Sequence, residues 1–581
     1  MGDPFIRVAT LDELRAQPLL SRRVGSRVIL LVFTGEQVYA LDNRCPHMGF
    51  PLHRGTLEDG LLTCHWHHAR FDVCSGGTFD LWADDVPTFP VEVRGNEVWV
   101  NPTPRLDARR QAHGRLRRGL ERNLDLLLAK GTIALHALSV PLGEAFREGV
   151  RFGVRYRAAG WGPGLTMLTC FHNMQDLLDE EDRPLALYHG LAAVAEDCDG
   201  QPPRFTVEPL PESTPHWPTL KAWFRRFIEV RDAEGAERCL VSAVEAGAPL
   251  NLLADMLFAA ITDHRYVSVG HPLDFTNKAL EALSTMPPED VAPVLTSLVP
   301  GYARGVRMEE HNAWRAPVDL VAMLETAFER LPALLADSPE NSRWDDVQAL
   351  TEVLLGENPQ AIVDGLLDAL ADGCPPAKLA QVVAYAAARR LVHFGTTNQF
   401  TDWDTALHTW TFANAVHQGL KRFPSAELVR ALFDAAVSVY LDRFLNVPPT
   451  PLPSPEPAPN PDRALADLEE VFDQRDHVDE AGTLVAAYLA AGGSRAKLQA
   501  RLGHFLLRED RDFHTIQAVE AAFRQAAEWG PGPEGDHCLI AAARYLAAHS
   551  PTSRAQHQTY TLALRLMRGE RLDEIDEIVD A

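Results

Sequence analysis

Lysine is nearly missing from this chain. Six stand among 581 residues, and the 55 lysines and arginines together face 80 aspartates and glutamates, for a formal net charge of -25. So acidic a chain offers no basic face for phosphate backbones or anionic lipid, which excludes nucleic acid and membrane surfaces as partners. Long apolar runs are missing too: none reaches the roughly 20 residues that cross a bilayer. The opening Met1-Gly-Asp-Pro-Phe-Ile-Arg7 lacks the basic and apolar regions of a signal peptide, so the cytoplasm is the expected compartment. Cysteine is scarce, eight in all and without a pairing pattern, as in a reducing compartment, and no disulfides are expected. Self-similarity at a period of about 30 to 50 residues is not visible, although helix pairs of comparable length follow one another and leave an α-solenoid platform open.

What the chain does have begins with Cys45-Pro-His47-Met-Gly49 and, with sixteen residues between His47 and Cys64, Cys64-His-Trp-His67. Each short loop supplies one cysteine and one histidine. Zinc-finger pairs instead come as C-x2-4-C and H-x3-5-H, whereas a Rieske [2Fe–2S] cluster needs this arrangement, with two thiolates on one iron and two imidazoles on the other. Gly49, Phe71, Asp72, Ser75, Gly76 and Gly77 flank the pairs in agreement. The stretch from Phe5 to Asn101 resembles a Rieske ferredoxin-type domain, which implies Cys45, His47, Cys64 and His67 as cluster ligands. Phe50 and His65 stand where respiratory Rieske proteins carry a loop disulfide, so the resemblance is to the lower-potential ferredoxin and oxygenase type. His65 and His68 replace the Pro and Gly common in the second loop, and His67 is chosen over its neighbours on spacing. Cys74 lies outside the pattern and reads as a small buried apolar residue. Val28–Phe33, Val38–Leu41 and Val91–Val100 read as strands, the last broken into a hairpin at Gly95-Asn96.

From Pro104 onward the apolar residues recur at three- and four-residue spacing, as in Leu250–Ile261 and Leu379–Ala388. The fold class is therefore α+β and multidomain: a small antiparallel-β Rieske domain at 1–103, an all-helical region at 104–447 expected to be catalytic, a proline-rich linker at 448–462, and a helical part at 463–581 packed on the helical domain. The linker must be extended and is expected to be an exposed tether.

A Rieske cluster carries one electron and binds no substrate, so it implies a second centre. The D-x-x-H-x-x-x-x-H pattern of ring-hydroxylating oxygenases is absent. Seventeen of the 22 histidines lie in the helical region, and His189, His271, His408 and His514 sit in the most apolar surroundings, where inward-facing side chains of a bundle can build a metal site. His264 and His271 are too far apart along one helix to share an ion, and Pro272 places a helix start near His271. His408 and His417 face opposite ways, and the aromatic setting of His408 decides for it, with His417 in reserve. Asp404 reads as part of a capping box from Thr401 rather than as a ligand.

At Leu185–Leu191, Gly270-His271-Pro-Leu273, His408 and His514 the helical region resembles the questin oxidase-like family. That resemblance implies a mononuclear non-haem Fe(II) with several histidines and a modified lysine, for which Lys278 is the candidate, acting on quinone-type rings. Two functions follow. One is an oxygenase fed by an external ferredoxin or flavin reductase, with an aromatic small-molecule substrate near Phe400, Trp403, Trp410 and Phe412. The other is an electron carrier or redox sensor with a non-catalytic helical docking platform. A homo-oligomer stays open in both.

Overall fold

The computed structural model describes residues 4–570 apart from 106, 206, 212–215, 337–343, 400, 454–457 and 459. Phe400, named above, lies outside the described residues. The chain forms two compact units, one of Met1–Ala145 with the stretch from Gln556, the other Phe146–Ala555. The expected boundary at residue 103 falls inside the first unit.

Ten strands build the first unit: β1 (Ile6–Thr10), β2 (Leu19–Val24), β3 (Arg27–Phe33), β4 (Val38–Asp42), β5 (Thr56–Glu58), β6 (Leu61–Thr63), β7 (Arg70–Asp72), β8 (Thr88–Phe89), β9 (Val91–Arg94) and β10 (Glu97–Val100). They form three antiparallel sheets, ordered β1-β10-β9, β2-β3-β4-β8 and β5-β6-β7. The Gly95-Asn96 hairpin is present, with Arg94 opposite Glu97 and Gly95 at φ +64°. β3 explains its own unbroken apolar run. Its two faces serve two cores, Leu30 and Val32 packing with Cys45, Cys64 and Phe71, while Ile29 and Leu31 pack with Val8, Leu20 and Phe89. A strand buried on both faces needs no polar alternation.

The second unit is helical. At its centre the Asp402–Arg422 helix packs against the Pro376–Val392, Ala426–Leu441, His271–Leu283 and Phe513–Trp529 helices, and fifteen of its residues are buried. The stretch Leu250–Ile261 is a helix with those bounds, and Leu379–Ala388 lies inside Pro376–Val392. Among the described residues no helix is long and apolar enough to cross a membrane.

Two expectations are corrected. Thr401 does not cap its helix: at φ -65°, ψ -20° it is already helical and its hydroxyl makes no cap bond, because a capping side chain requires an extended residue. Asp404 instead accepts a 3.0 Å hydrogen bond from Tyr545. The proline-rich stretch is not free along its length, for Thr450 bonds to His393 and Phe394, and the Ala458 amide donates to Ala487 at 3.0 Å. Residues 454–457 and 459 of that stretch lie outside the described residues.

The two cores on β3 make a test. Leu30→Ala and Leu31→Ala should each cost about 2–5 kcal/mol, but Leu30→Ala should lower iron and sulfide content more, since Leu30 shares a core with Cys45 and Cys64. Equal losses of cluster would show that the two cores act as one.

Candidate metal centres

The cluster loops are built alike. The Cys45 amide donates to Phe50 and the Gly49 amide returns to Cys45, both at 2.8 Å; the Cys64 amide donates to Ala69 at 2.8 Å and the His68 amide returns to Cys64 at 3.0 Å. Each cysteine thus sits at the mouth of a closed turn whose fifth residue must take a left-handed conformation, φ +84° at Gly49 and +62° at His68. The histidine that replaces a glycine in the second loop therefore carries backbone strain. Phe50 lies 5.9 Å from the Trp66 ring, and His65 bonds to Thr56, so the two disulfide positions hold non-covalent contacts.

All eight cysteines are free. A hydrogen bond between the Cys45 and Cys64 thiols, the largest influence on each, raises Cys45 far above the usual thiol range and lowers Cys64 to about 6, toward the thiolate that a metal takes. His47 and His67 meet edge to face with ring centroids 4.7 Å apart. Burial, then His67 and Lys130, bring His47 down to about 4, and its buried Nδ1 has no hydrogen-bond partner. An orphaned imidazole nitrogen and a sulfur pair within hydrogen-bond reach fit a [2Fe–2S] cluster. They do not fit zinc: among the described residues these four donors do not gather within the 4.8 Å found at His271, His408 and His514, as a single tetrahedral ion would require. Cys74 is exposed, which corrects its reading as a core residue; it sits on a turn where its amide donates to Asp72 at 3.1 Å.

Two helices follow the strands in this unit. Arg115 and Arg118 on Ala108–Arg122 grip the buried Asp84. Lys130, on Asp125–Ala137 and 3% exposed, donates to the carbonyls of Pro46 and His47, each at 2.7 Å. Burial, then the Arg115 charge, lowers Lys130 to about 8, so it remains mostly charged at pH 7.

In the helical unit three of the four singled-out histidines converge. His408 Nε2 lies 3.1 Å from His271 Nε2 and 3.1 Å from His514 Nε2. With a metal–nitrogen bond of about 2.1 Å, nitrogens 90° apart stand about 3.0 Å from each other and tetrahedral ones about 3.4 Å. The observed spacing suits 90° pairs about His408. His271 opens its helix, with Pro272 in the first turn, and His514 is the second residue of Phe513–Trp529, so two helix N-termini point at the site and oppose extra positive charge there. Burial, then the neighbouring histidines, lower His271 to about 3, and burial, then His514, lowers His408 to about 4. Both are neutral at pH 7, with lone pairs available. Asp512 caps its helix with one oxygen, taking 3.0 and 2.8 Å bonds from Thr515, and holds His514 Nδ1 at 3.3 Å with the other, the outer partner a ligating imidazole takes.

The approach to His271 is strained. Tyr266, Ser268 and Val269 all have φ between +44° and +51°, an arrangement that a β-branched valine resists. Gly270, at φ +95°, lies so close to Phe412 that a Cβ would stand 2.8 Å from its ring. Phe275 and Phe513 flank the histidines, 5.6 Å from His271 and 3.8 Å from His514 between ring centroids.

One turn beyond each histidine the same helices present Asp274, Thr411 and Gln517. Thr411 donates to Asp274 at 3.0 Å, and Gln517 also bonds to it. Burial raises Asp274 to about 8, so it holds its proton at neutral pH. Further along lies Lys278, whose Nζ meets Glu520 at 2.7 Å and Glu281 at 3.0 Å. Asn173 donates to the same two carboxylates at 3.0 and 2.7 Å, and Arg524 and Arg422 complete the group. Lys278 is therefore engaged in a buried ion network and is not brought to the histidines. His189 is likewise elsewhere, buried beside Tyr188 and Phe171. The reserve His417 bonds to Gln525 at 2.9 Å, and His264 lies between Glu229 and Glu309. Asp274, Asp512, Phe275, Phe513 and Lys130 were not singled out in the sequence. Only Asp512 had a local signal there, as a helix cap three residues before Thr515.

Residues 5–90 match the Rieske [2Fe-2S] domain family. The ferredoxin component of a naphthalene 1,2-dioxygenase/salicylate 5-hydroxylase system from Ralstonia sp. is 30% identical over 101 residues, covering 17% of this chain and 97% of that protein. The chain belongs to this family through its N-terminal unit. The vanillate O-demethylase oxygenase subunit of a Pseudomonas species is 35% identical over 84 residues, 13% of this chain and 25% of that subunit, so the chain spans only a quarter of it. Among solved structures, the ferredoxin of carbazole 1,9a-dioxygenase from Nocardioides aromaticivorans is 32% identical, with a TM-score of 0.17, over 17% of this chain and 98% of its own.

Cys64→Ser and His67→Ala should each abolish the rhombic, low-average-g resonance of the dithionite-reduced protein, and Cys74→Ser should leave it intact; a colourless protein with one zinc after iron-replete expression would contradict the assignment. Lys278→Met, which strands two buried carboxylates, should cost about 3–5 kcal/mol and lower the thermal midpoint, and adding Glu520→Gln should recover part of the loss.

Proposed function

We propose that this chain is an oxygenase-type oxidoreductase in which the Rieske cluster passes electrons to a mononuclear non-haem iron held by His271, His408 and His514. The substrate class is aromatic or quinone-like, and the electrons come from an external ferredoxin or flavin reductase. The observation that carries the reading is the convergence of three Nε2 atoms from sequence positions 106 and 137 residues apart. Nothing in helix packing requires three imidazoles to meet, and a buried imidazole needs a partner to offset its desolvation. The questin oxidase-like resemblance at the same histidines supports the reading, as do the oxygenase systems named among the relatives of the cluster domain.

When bound, the cluster supplies electrons singly and the iron supplies a place for O₂. The protein's part is to prepare that place. Burial keeps His271 and His408 unprotonated, and Asp512 fixes the His514 ring. Phe275 and Phe513 give the site an apolar flank against which a planar ring can stack, and which keeps bulk water away. Asp274 holds a proton on its carboxyl one turn from the ligands, within reach of Thr411 and Gln517. A three-histidine set leaves further positions on an iron open, as catalysis requires.

Iron counting tests the proposal: the oxygenase carries three irons per chain and a carrier two. His408→Ala should lose about one iron and all O₂ uptake supported by reductant, while the Rieske resonance is unchanged. Full retention of iron by His271→Ala and His408→Ala would favour the alternative, a carrier or sensor with a helical docking platform.

A further inference from the structure

Of the six lysines, the first unit holds one, Lys130, and it is among the most buried cations of the chain. Its ammonium rests on the backbone of the first ligand loop, 2.7 Å from the carbonyl oxygen of Pro46 and 2.7 Å from that of His47. It comes from the Asp125–Ala137 helix, beyond the 5–90 stretch that matches the Rieske family. Among the described residues no carboxylate stands within salt-bridge distance of it; the nearby Asp84 is taken up by Arg115 and Arg118. A buried cation without a directly paired acid costs several kcal/mol unless something else offsets it. Two carbonyl dipoles offset part of that cost. The Asp84 and Cys45 charges add an attraction, and the loop on which the ammonium rests is the one that would hold the cluster.

We infer that Lys130 is a positioning and potential-setting residue for the Rieske cluster: its ammonium fixes the Pro46–His47 backbone and stabilises the cluster's reduced form. The charge balance gives the direction. An oxidised cluster of two ferric ions, two sulfides, two thiolates and two neutral imidazoles is formally neutral, and the electron it accepts makes it an anion. A fixed positive charge close by and out of water favours the anion over the neutral form, so it raises the potential. The helices appended to the domain thus act on the electron carrier itself. The choice of lysine suits this role, since a compact ammonium can meet two carbonyls at once where a guanidinium fork cannot fit as closely.

The test uses the full-length holoprotein and three variants, Lys130→Met, Lys130→Gln and Lys130→Arg, read by iron and sulfide content, the resonance of the reduced cluster and the midpoint of a dye-mediated redox titration. Lys130→Met and Lys130→Gln should keep the cluster and shift the midpoint to more negative values, while Lys130→Arg should stay near the parent. Gln keeps two N–H donors and drops the charge, so it decides the matter if the Met variant fails to load. An unchanged midpoint in Lys130→Gln, or loss of the cluster from all three variants, would make Lys130 a purely structural residue and overturn the inference.

Discussion

An imidazole taken out of water cannot keep a second proton, and that constraint shapes both units. His47, His271 and His408 are all held below the ordinary histidine range with burial as the leading cause. Each then has a lone pair with little to bond to, which is the state a metal recognises. The cysteines are sorted by burial and by one hydrogen bond. Cys170 and Cys538, fully enclosed, are pushed well above the usual thiol range and stay inert, whereas Cys64, bonded to Cys45, becomes the more acidic thiol. Burial thus keeps the structural thiols protonated, while the hydrogen bond between the two loop cysteines, acting against burial, sets Cys64 apart.

Neutral imidazoles also need to be aimed, and in the helical unit this is done by helix periodicity. His271, His408 and His514 are each followed three residues later by a buried hydrogen-bonding group, Asp274, Thr411 and Gln517, which tie the three helices together directly beneath the site. A further turn or two along, Lys278, Glu281, Glu520, Arg422 and Arg524 close the column with ion pairs. Charges this deep add little net stability when paired, yet removing one partner is severe. The column acts as a register lock: a slide of any one helix by a turn would strand a charge as well as move a histidine.

The two Cys–His loops of the Rieske domain were legible because they are local. Spacing within two short loops carried both residue identity and chemistry, and the strands that support the loops showed their own alternation and turns. The helical site was legible only in part. Apolar flanks picked out His271, His408 and His514 but also His189, since a buried histidine looks the same in sequence whether it meets two others or a tyrosine. Lys278 is rare by residue type, yet a lysine seven residues from His271 is about two turns away, and there the carboxylates claim it. The Thr401 cap failed because sequence shows the residue and not its backbone angles. Lys130 gave no signal at all: its role depends on a helix folding back onto a loop 83 residues earlier.

On the proposed assignment, the charge surrounding each centre sets the direction of electron flow. The cluster is surrounded by thiolates and sulfides, which donate negative charge and hold the potential down even with an ammonium beside it. The helical site offers three imidazoles, of which burial keeps His271 and His408 neutral, and no thiolate, so these ligands would leave the charge of a ferrous ion largely uncompensated. Two helix N-termini, each worth about half a positive charge, face it, and Asp274, which could have opposed them, holds its proton at neutral pH. An iron held in such surroundings would be stabilised in its ferrous state more than the cluster is in its reduced one. The histidine-only ligand set is therefore what allows a low-potential carrier to feed it, and a carboxylate among the ligands would narrow the gap that drives the transfer.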